Sequence, residues 1–107
     1  MPRPCIKRNV SGEPISYYFK PAGIRKVELE ESELALDEFE AIRLIDLEGV
    51  EQTKAAEQMN VSQPTFSRIL KQGRKKIAEA IIIGKAIKIE NRTKYDENNN
   101  KLNQKNN

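Results

Sequence analysis

Residues 52–71 read QTKAAEQMNVSQPTFSRILK, and their spacing decides the fold. A first short helix is predicted from Thr53 through Met59, with Ala55, Ala56 and Met59 on its buried side. Two helices that cross closely need a small residue at the crossing, and Ala56 is placed there. The turn then needs a residue that tolerates positive φ, and Asn60 follows four positions later. Glycine is the commoner residue at that point, so Asn60 departs mildly from the pattern. Val61 is expected to bury the turn. Ser62 is the N-cap of the next helix, and Pro64 lies in its first turn, where a missing N–H costs nothing. Phe66 and Ile69 anchor that helix. Each match is weak alone; together they have the layout of a helix-turn-helix.

The helix after Ser62 is expected to run to about Ile83, roughly 20 residues or 30 Å. Phe66, Ile69, Leu70, Ile77, Ala80 and Ile81 are its apolar positions. Gly73 shares the stripe and permits close helix approach, and Gly84 is the stop. At about 100° per residue, Pro64, Ser67, Arg68, Lys71 and Lys75 fall opposite. Between Arg68 and Lys76 there are five bases and no acid. A polar, basic helix face of this kind fits the major groove of B-DNA. Gln63, Thr65, Ser67 and Arg68 lie near the end of the helix that reaches base edges. Arg68 suits bidentate pairing with guanine, and Gln63 suits adenine. Lys71, Arg74, Lys75 and Lys76 suit phosphates, which give affinity without sequence choice. The candidate DNA-binding set is Ser62, Gln63, Pro64, Thr65, Ser67, Arg68, Lys71, Arg74 and Lys75. The plain alternative is a solvated helix face. For Gln63 that alternative, or a role at the helix N-terminus, weighs as much as base contact; for Lys76, near the flank, it weighs more.

Upstream, Asp37 is expected to cap a helix over about 37–48, with Glu40 in capping-box spacing. Phe39, Ile42, Leu44, Ile45 and Leu47 form its apolar surface, and Gly49 suits a left-handed stop. Val27-Glu28-Leu29 alternates like a short strand. Lys85 to Glu90 alternates too and is expected to pair with it. Residues 1–26 contain Pro2, Pro4, Pro14 and Pro21 and are expected to form an extended basic arm. Tyr17-Tyr18-Phe19 is its apolar cluster and is expected to dock it. The domain proper is then 27–90. Six of the ten residues from Asn98 to Asn107 are Asn, so 91–107 is expected to be a disordered tail. The predicted fold is mainly α, a three-helix helix-turn-helix core of the winged-helix or sigma region-4 kind with one minor strand pair.

Composition narrows the function. The chain has 107 residues, enough for one domain, with 37% hydrophobic and 33% charged residues. Histidine is absent, which removes the commonest general base and metal ligand. The single cysteine, Cys5, allows no internal disulfide and no multi-cysteine zinc site, and is expected to be an incidental thiol despite basic neighbours. No nucleophile, base and orienter occur as a set, so an enzyme is not expected, and neither a cofactor nor a metal is implied. No apolar run is long enough for a membrane span or a signal peptide, which points to a cytoplasmic protein. The net charge of +3 hides segregation. Residues 1–26 carry six bases and one acid, 27–51 ten acids and one base, and 52–92 nine bases and three acids. The acidic block, Glu28, Glu30, Glu31, Glu33, Asp37, Glu38 and Glu40 included, is expected to be a solvated face, or else to meet the basic arm or repel DNA to orient the domain.

The stretch ALDEFEAIRLIDLEGVEQTKAAEQMNVSQPTFSRILKQGRKKIAEAIIIGKAIKIE resembles a family of small prokaryotic proteins, domain of unknown function 134, also called uncharacterised protein family 0251. The opening MPRP and the YFKPAG at Tyr18 to Gly23 are similar to it as well. The resemblance covers about residues 1–90, and EAIRLIDLEG with SQPTFSRIL is its specific part. It implies a predicted DNA-binding protein whose helix-turn-helix is similar to region 4 of sigma factors, with a recognition helix beginning after Ser62. Relatives carry more cysteines in the arm than this chain does, so no metal or redox role carries over to Cys5. The expected function is sequence-specific double-stranded DNA binding in transcriptional regulation, with a homodimer as the expected form. One rival is an adaptor that binds a protein of the transcription machinery through the acidic block. Another is RNA binding through Tyr17, Tyr18, Phe19 and Lys20 of the arm.

Overall fold

The computed structural model describes residues 8–93 and 95–96. Cys5, the opening Met1-Pro2-Arg3-Pro4 and the Asn-rich residues 97–107 lie outside them. The chain runs through strand β1 (Tyr18–Phe19), a 3-10 turn (Lys26–Glu28), strand β2 (Glu31–Leu34), helix α1 (Leu36–Ile42), a π-helical turn (Arg43–Leu47), helix α2 (Gln52–Gln58), helix α3 (Gln63–Ile83) and strand β3 (Ala86–Ile89). The protein is mainly α, with two helices joined by a tight turn at its centre.

The sequence pattern locates the helix-turn-helix well. α2 and α3 begin and end within a residue or so of their expected bounds. Asn60 takes φ 59°, the left-handed conformation that the turn requires. Val61 N–H donates to Ala56 O at 3.0 Å and Met59 N–H to Ala55 O at 3.0 Å, closing α2 into the turn. Ala55, Ala56, Met59, Phe66, Ile69 and Leu70 are buried together with Ala41 and Leu44. Gly73 sits where α3 passes α1: a Cβ there would stand 2.9 Å from Ile42 Cδ1 and 3.1 Å from Glu38 Cβ. Gly84 ends α3 at φ 86°.

The first helix departs from expectation at both ends. Ala35, not Asp37, is its N-cap, and Glu38 reaches back to accept from Ala35 N–H at 2.8 Å. Asp37 instead accepts from the Arg8 guanidinium. At the other end the expected helix to residue 48 widens after Ile42. Glu48 N–H donates to Arg43 O at 2.9 Å, five residues back. Gly49, at φ 71°, then turns the chain as expected, and Val50 N–H returns to Leu44 O at 2.9 Å.

The expected strand pair is a three-stranded sheet in the order β1-β3-β2. Val27-Glu28-Leu29 is no strand: its first two residues lie in the 3-10 turn, and the alternation that pairs begins at Glu31. β2 runs parallel to β3, with Glu31 opposite Ala86 and Leu34 opposite Ile89. Tyr18 and Phe19 pair antiparallel with Lys88 and Ile87. Leu34, Leu36, Ile89 and Tyr95 form a second buried cluster, against which Val10, Tyr17, Phe39 and Ile77 pack. Tyr17 thus docks the arm, whereas Phe19 stays exposed. Tyr18 lies under Lys26 Nζ, 4.6 Å from its ring centroid.

The acidic block is only partly solvated. Asp37, Glu38 and Glu40 are buried. Glu40, 1% exposed, accepts from Ser11 N–H and Gly12 N–H at 3.0 Å each, and from Arg43 Nε at 2.8 Å and Nη2 at 3.0 Å. All its capacity is thereby used, as a buried carboxylate requires. Glu38 pairs with Lys76 Nζ at 2.7 Å, which takes that lysine away from any ligand. The arm is held from its other side by Arg92, whose Nη1 donates to Val10 O and Nη2 to Gly12 O, both at 2.9 Å. Tyr95, 6% exposed, donates its hydroxyl to Arg8 O at 3.0 Å. Arg92 and Tyr95 belong to the packed structure, although the sequence reading puts them in the tail.

Ile81 is 74% exposed instead of buried, and Ile82 and Ile83 are 81% and 65% exposed. Ala80, 3% exposed, is the packed position in the last turn of α3, and Ile81 lines a shallow cleft with Phe19, Pro21 and Ile87 instead of entering the core. No helix among the described residues is long and apolar enough to cross a membrane.

Burial pushes the Glu40 carboxyl up, but the Arg43 guanidinium and the two arm N–H groups outweigh it, and its pKa lies below the ordinary value. A carboxyl depressed in the folded state stabilises the fold above its unfolded pKa of about 4.3, and that stabilisation is lost as pH falls through the folded value. Glu40→Gln removes the charge and two of the acceptor interactions. It is expected to lower stability by about 1–3 kcal/mol near neutral pH and to flatten the acid limb of the stability curve. Urea unfolding of the two proteins across the acid range checks this; parallel curves would contradict it.

Candidate nucleic-acid interface

The first turn of α3 is built by its cap. Ser62 stands at φ −70° and ψ 159°, outside the helix, and its Oγ accepts from Thr65 N–H at 3.3 Å. The same hydroxyl donates to Thr65 Oγ1 at 2.9 Å. Arg68 Nη2 in turn donates to Thr65 Oγ1 at 3.4 Å. A chain of three side chains therefore runs along the helix from the cap to the guanidinium. Ser62 and Thr65 orient Arg68, and Thr65 itself is half-buried. Pro64 is in the first turn, where its lack of an N–H breaks no helical bond.

Packing divides α3 into two faces. Phe66, Ile69, Leu70, Gly73 and Ala80 are buried against α1, α2 and the sheet. Gln63, Pro64, Ser67, Arg68, Lys71, Gln72 and Lys75 are exposed. Among the described residues Arg68, Lys71 and Lys75 form no salt bridge. Their charge is directed to solvent from one helix face, with the hydroxyl and amide groups of Ser67 and Gln63 at its start.

Arg74 stands apart from that set. Its Nη2 donates to Asp46 Oδ1 at 2.7 Å and its Nε to Asp46 Oδ2 at 3.1 Å, a bidentate pair with the π-helical turn. The pair lowers the Asp46 pKa and raises that of Arg74. Both side chains are about half exposed, so the pair contributes little to stability, but it occupies the fork that a phosphate would need. Further along, Lys85 Nζ bonds Glu79 Oε1, which holds the Glu79 carboxyl below its ordinary value, with Lys75 adding to the effect.

Two residues beside this face are absent from the sequence-derived set. Gln72 is exposed one turn beyond Arg68 and lines a cleft of about 270 Å³ with Thr65 and Arg68. Its i+4 spacing from Arg68 is the signal that could have found it. Arg8 lines the same cleft from the arm. No local pattern marks Arg8, because its position depends on Asp37, twenty-nine residues away.

Similarity to known proteins bears on the family. The model of a family described as "Protein of unknown function DUF134" matches residues 1–97. A UPF0251 protein of Dehalococcoides mccartyi strain 195 is 52% identical over 90 residues, which cover 84% of this chain and 77% of that protein. One from Caldanaerobacter subterraneus subsp. tengcongensis is 54% identical over 90 residues, covering 84% of this chain and 76% of that protein. One from Thermoanaerobacter pseudethanolicus is 50% identical over 99 residues, covering 91% and 84%. No solved structure matches the chain. With a family model spanning nearly the whole described region and relatives of about half identity over most of its length, the chain belongs to the DUF134, or UPF0251, family.

Proposed function

We propose that this protein is a sequence-specific reader of double-stranded DNA and acts as a transcriptional regulator, not as an enzyme. The observation that carries this reading is the division of α3. One side is packed against the domain, and the other is an exposed, polar and basic face, delivered by a tight turn after α2. A helix with this face fits a major groove about 12 Å wide. In the proposed complex the first turns of α3 face the bases. Arg68, steadied by Thr65, pairs with a guanine, and Gln63 and Ser67 meet the adjacent base edges. Lys71 and Lys75 bind phosphates. Arg74 contributes only where its pair with Asp46 opens.

A single small module of this kind gains affinity and specificity by pairing, so the functional form we propose is a homodimer on two half-sites. The exposed run Ile81-Ile82-Ile83, at the end of α3 remote from the proposed base-reading turns, supports pairing there.

The test is selection of random duplex DNA by the purified protein at physiological salt. An enriched motif is the expected result, and palindromy in it goes with the dimer. Binding that is equally tight to all duplexes would reduce the face to a nonspecific basic surface. No binding would move the weight to a protein partner in the transcription machinery, and preference for single-stranded RNA would move it to the aromatic part of the arm.

On the selected site, Arg68→Ala is expected to cost about 1–3 kcal/mol and to relax preference at one base pair. Equal loss on every sequence, measured by titration of site variants, would contradict base reading by Arg68. Lys75→Ala is expected to weaken all duplexes alike and to lower the slope of log affinity against log salt by about 0.9. An unchanged slope would take Lys75 off the phosphates.

A further inference from the structure

A cleft of about 680 Å³ opens between the sheet, α1 and the arm. Leu34, Ile87 and Ile89 of the sheet, Phe39 and Ile42 of α1, and Ile77 of α3 give it apolar walls. No residue of the exposed basic face of α3 lines it. Three large apolar side chains that also border it, Ile15, Phe19 and Leu47, are exposed. An apolar surface left open to water with polar groups at its rim marks a binding surface. A cleft of about 300–1,000 Å³ matches a small organic molecule.

The shape of the cleft is fixed in advance. One wall is residues 13–16 of the arm. Before them, Gly12 N–H donates to Glu40, and Arg92 donates to Gly12 O. After them, Tyr17 packs into the second buried cluster, and Tyr18 and Phe19 pair with β3. The wall is tied at both ends, so little ordering is needed when a ligand enters.

Charge selects the ligand. Glu13 and Arg43 are the charged residues on the walls. Arg43 is already engaged: its Nε and Nη2 donate to Glu40, and its Nη1 stands 3.8 Å from Glu48. Glu13 is exposed and forms no salt bridge among the described residues. Three carboxylates, Glu13, Glu40 and Glu48, against one guanidinium leave a net charge of −2 at the cleft. An anion would have to compete with two carboxylates for Arg43. A cation meets Glu13 directly, and Phe19 and Phe39 add aromatic surface that attracts a partly desolvated cation.

We propose that this cleft is a binding site for a small organic cation with a large apolar body. The charge sits at Glu13, and the body lies against Phe39, Ile42, Ile77 and Ile87. The site is separate from the exposed face of α3 and does not depend on what that face binds.

The test uses two probe ions of nearly the same shape and opposite charge, tetraphenylphosphonium and tetraphenylborate. Each is titrated into the full chain carrying labelled isoleucine methyl groups, and binding is followed by NMR. Tetraphenylphosphonium is expected to shift the Ile42, Ile77 and Ile87 signals saturably while Ile82 and Ile83 stay unmoved. It is expected to bind at least about fivefold more tightly than the borate. Glu13→Gln is expected to weaken phosphonium binding at least about fivefold. Leu47→Lys puts a base at the mouth and is expected to weaken the phosphonium and strengthen the borate. Borate binding as tight as phosphonium binding would overturn the proposal. So would an unchanged affinity in Glu13→Gln, shifts confined to Ile81, Ile82 and Ile83, or no binding of the phosphonium. Ile42, Ile77 and Ile87 signals that move with protein concentration before any ion is added would assign the cleft to a second copy of the chain, and would overturn it too. Both substitutions are at exposed positions, and equal melting temperatures of the three proteins establish that the fold is intact.

Discussion

The structure turns on a buried carboxylate. Glu40 lies inside the domain and is stable there only because four donors surround it. Two come from Arg43, one turn along its own helix, and two from the backbone of the arm at Ser11 and Gly12. The arm has no regular structure at that point, so its N–H groups need acceptors from elsewhere. Glu40 supplies them, and Arg92 meets the carbonyls of Val10 and Gly12. One acid and one base thus satisfy a stretch of irregular backbone from both sides. The arm's course over the domain, and with it the position of Arg8 beside α3, follows from this.

Glu38 and Asp37 repeat the device at shorter range. Glu38 links Ala35 N–H, at the start of α1, to Lys76 in the middle of α3. Asp37 holds Arg8. The side of α1 that packs on α3 therefore combines an apolar contact, at Gly73 and Ile42, with a charged one. The bases of α3 are sorted by this contact. Lys76 and Arg74 are consumed by acids of the preceding segment, and Arg68, Lys71 and Lys75 face outward. The basic run is not uniform, and only its outward members have the geometry of a ligand surface.

The parts of this structure that are legible in the sequence are those set by local rules. The turn at Asn60, the cap at Ser62, the stop at Gly84 and the two faces of α3 depend on residues within a few positions of one another. What the sequence hides depends on distant partners. The cap of α1 is Ala35, served by Glu38, while Asp37 is taken up by Arg8, twenty-nine residues away. The strand near residue 27 shifts to Glu31 because the register is set by β3, more than fifty residues later. Ile81 borders an apolar stripe whose last packed position is its neighbour Ala80, and periodicity cannot show which of two adjacent positions a neighbouring element covers. Arg74 and Lys76 look like phosphate ligands by spacing, and only their pairing with Asp46 and Glu38 separates them from Lys75.

The order of the sheet bears on how the chain is made. β3 is central yet last, and it joins strands from residues 18–19 and 31–34 that have waited without a partner. Arg92 and Tyr95, which close over the arm, come later still. During synthesis from the N-terminus, the helix-turn-helix and the arm's partners Asp37, Glu40 and Met59 are complete in sequence before β3, Arg92 and Tyr95 appear. Pairings across such separations close slowly because of the loop entropy they must overcome. A nascent chain ending near Gly84 would therefore carry the whole basic face of α3 while β1 and β2 lack their central strand and the arm lacks the grip of Arg92 and Tyr95. Strand β3, Arg92 and Tyr95 thus lock a sheet and an arm that the earlier chain can only begin to place.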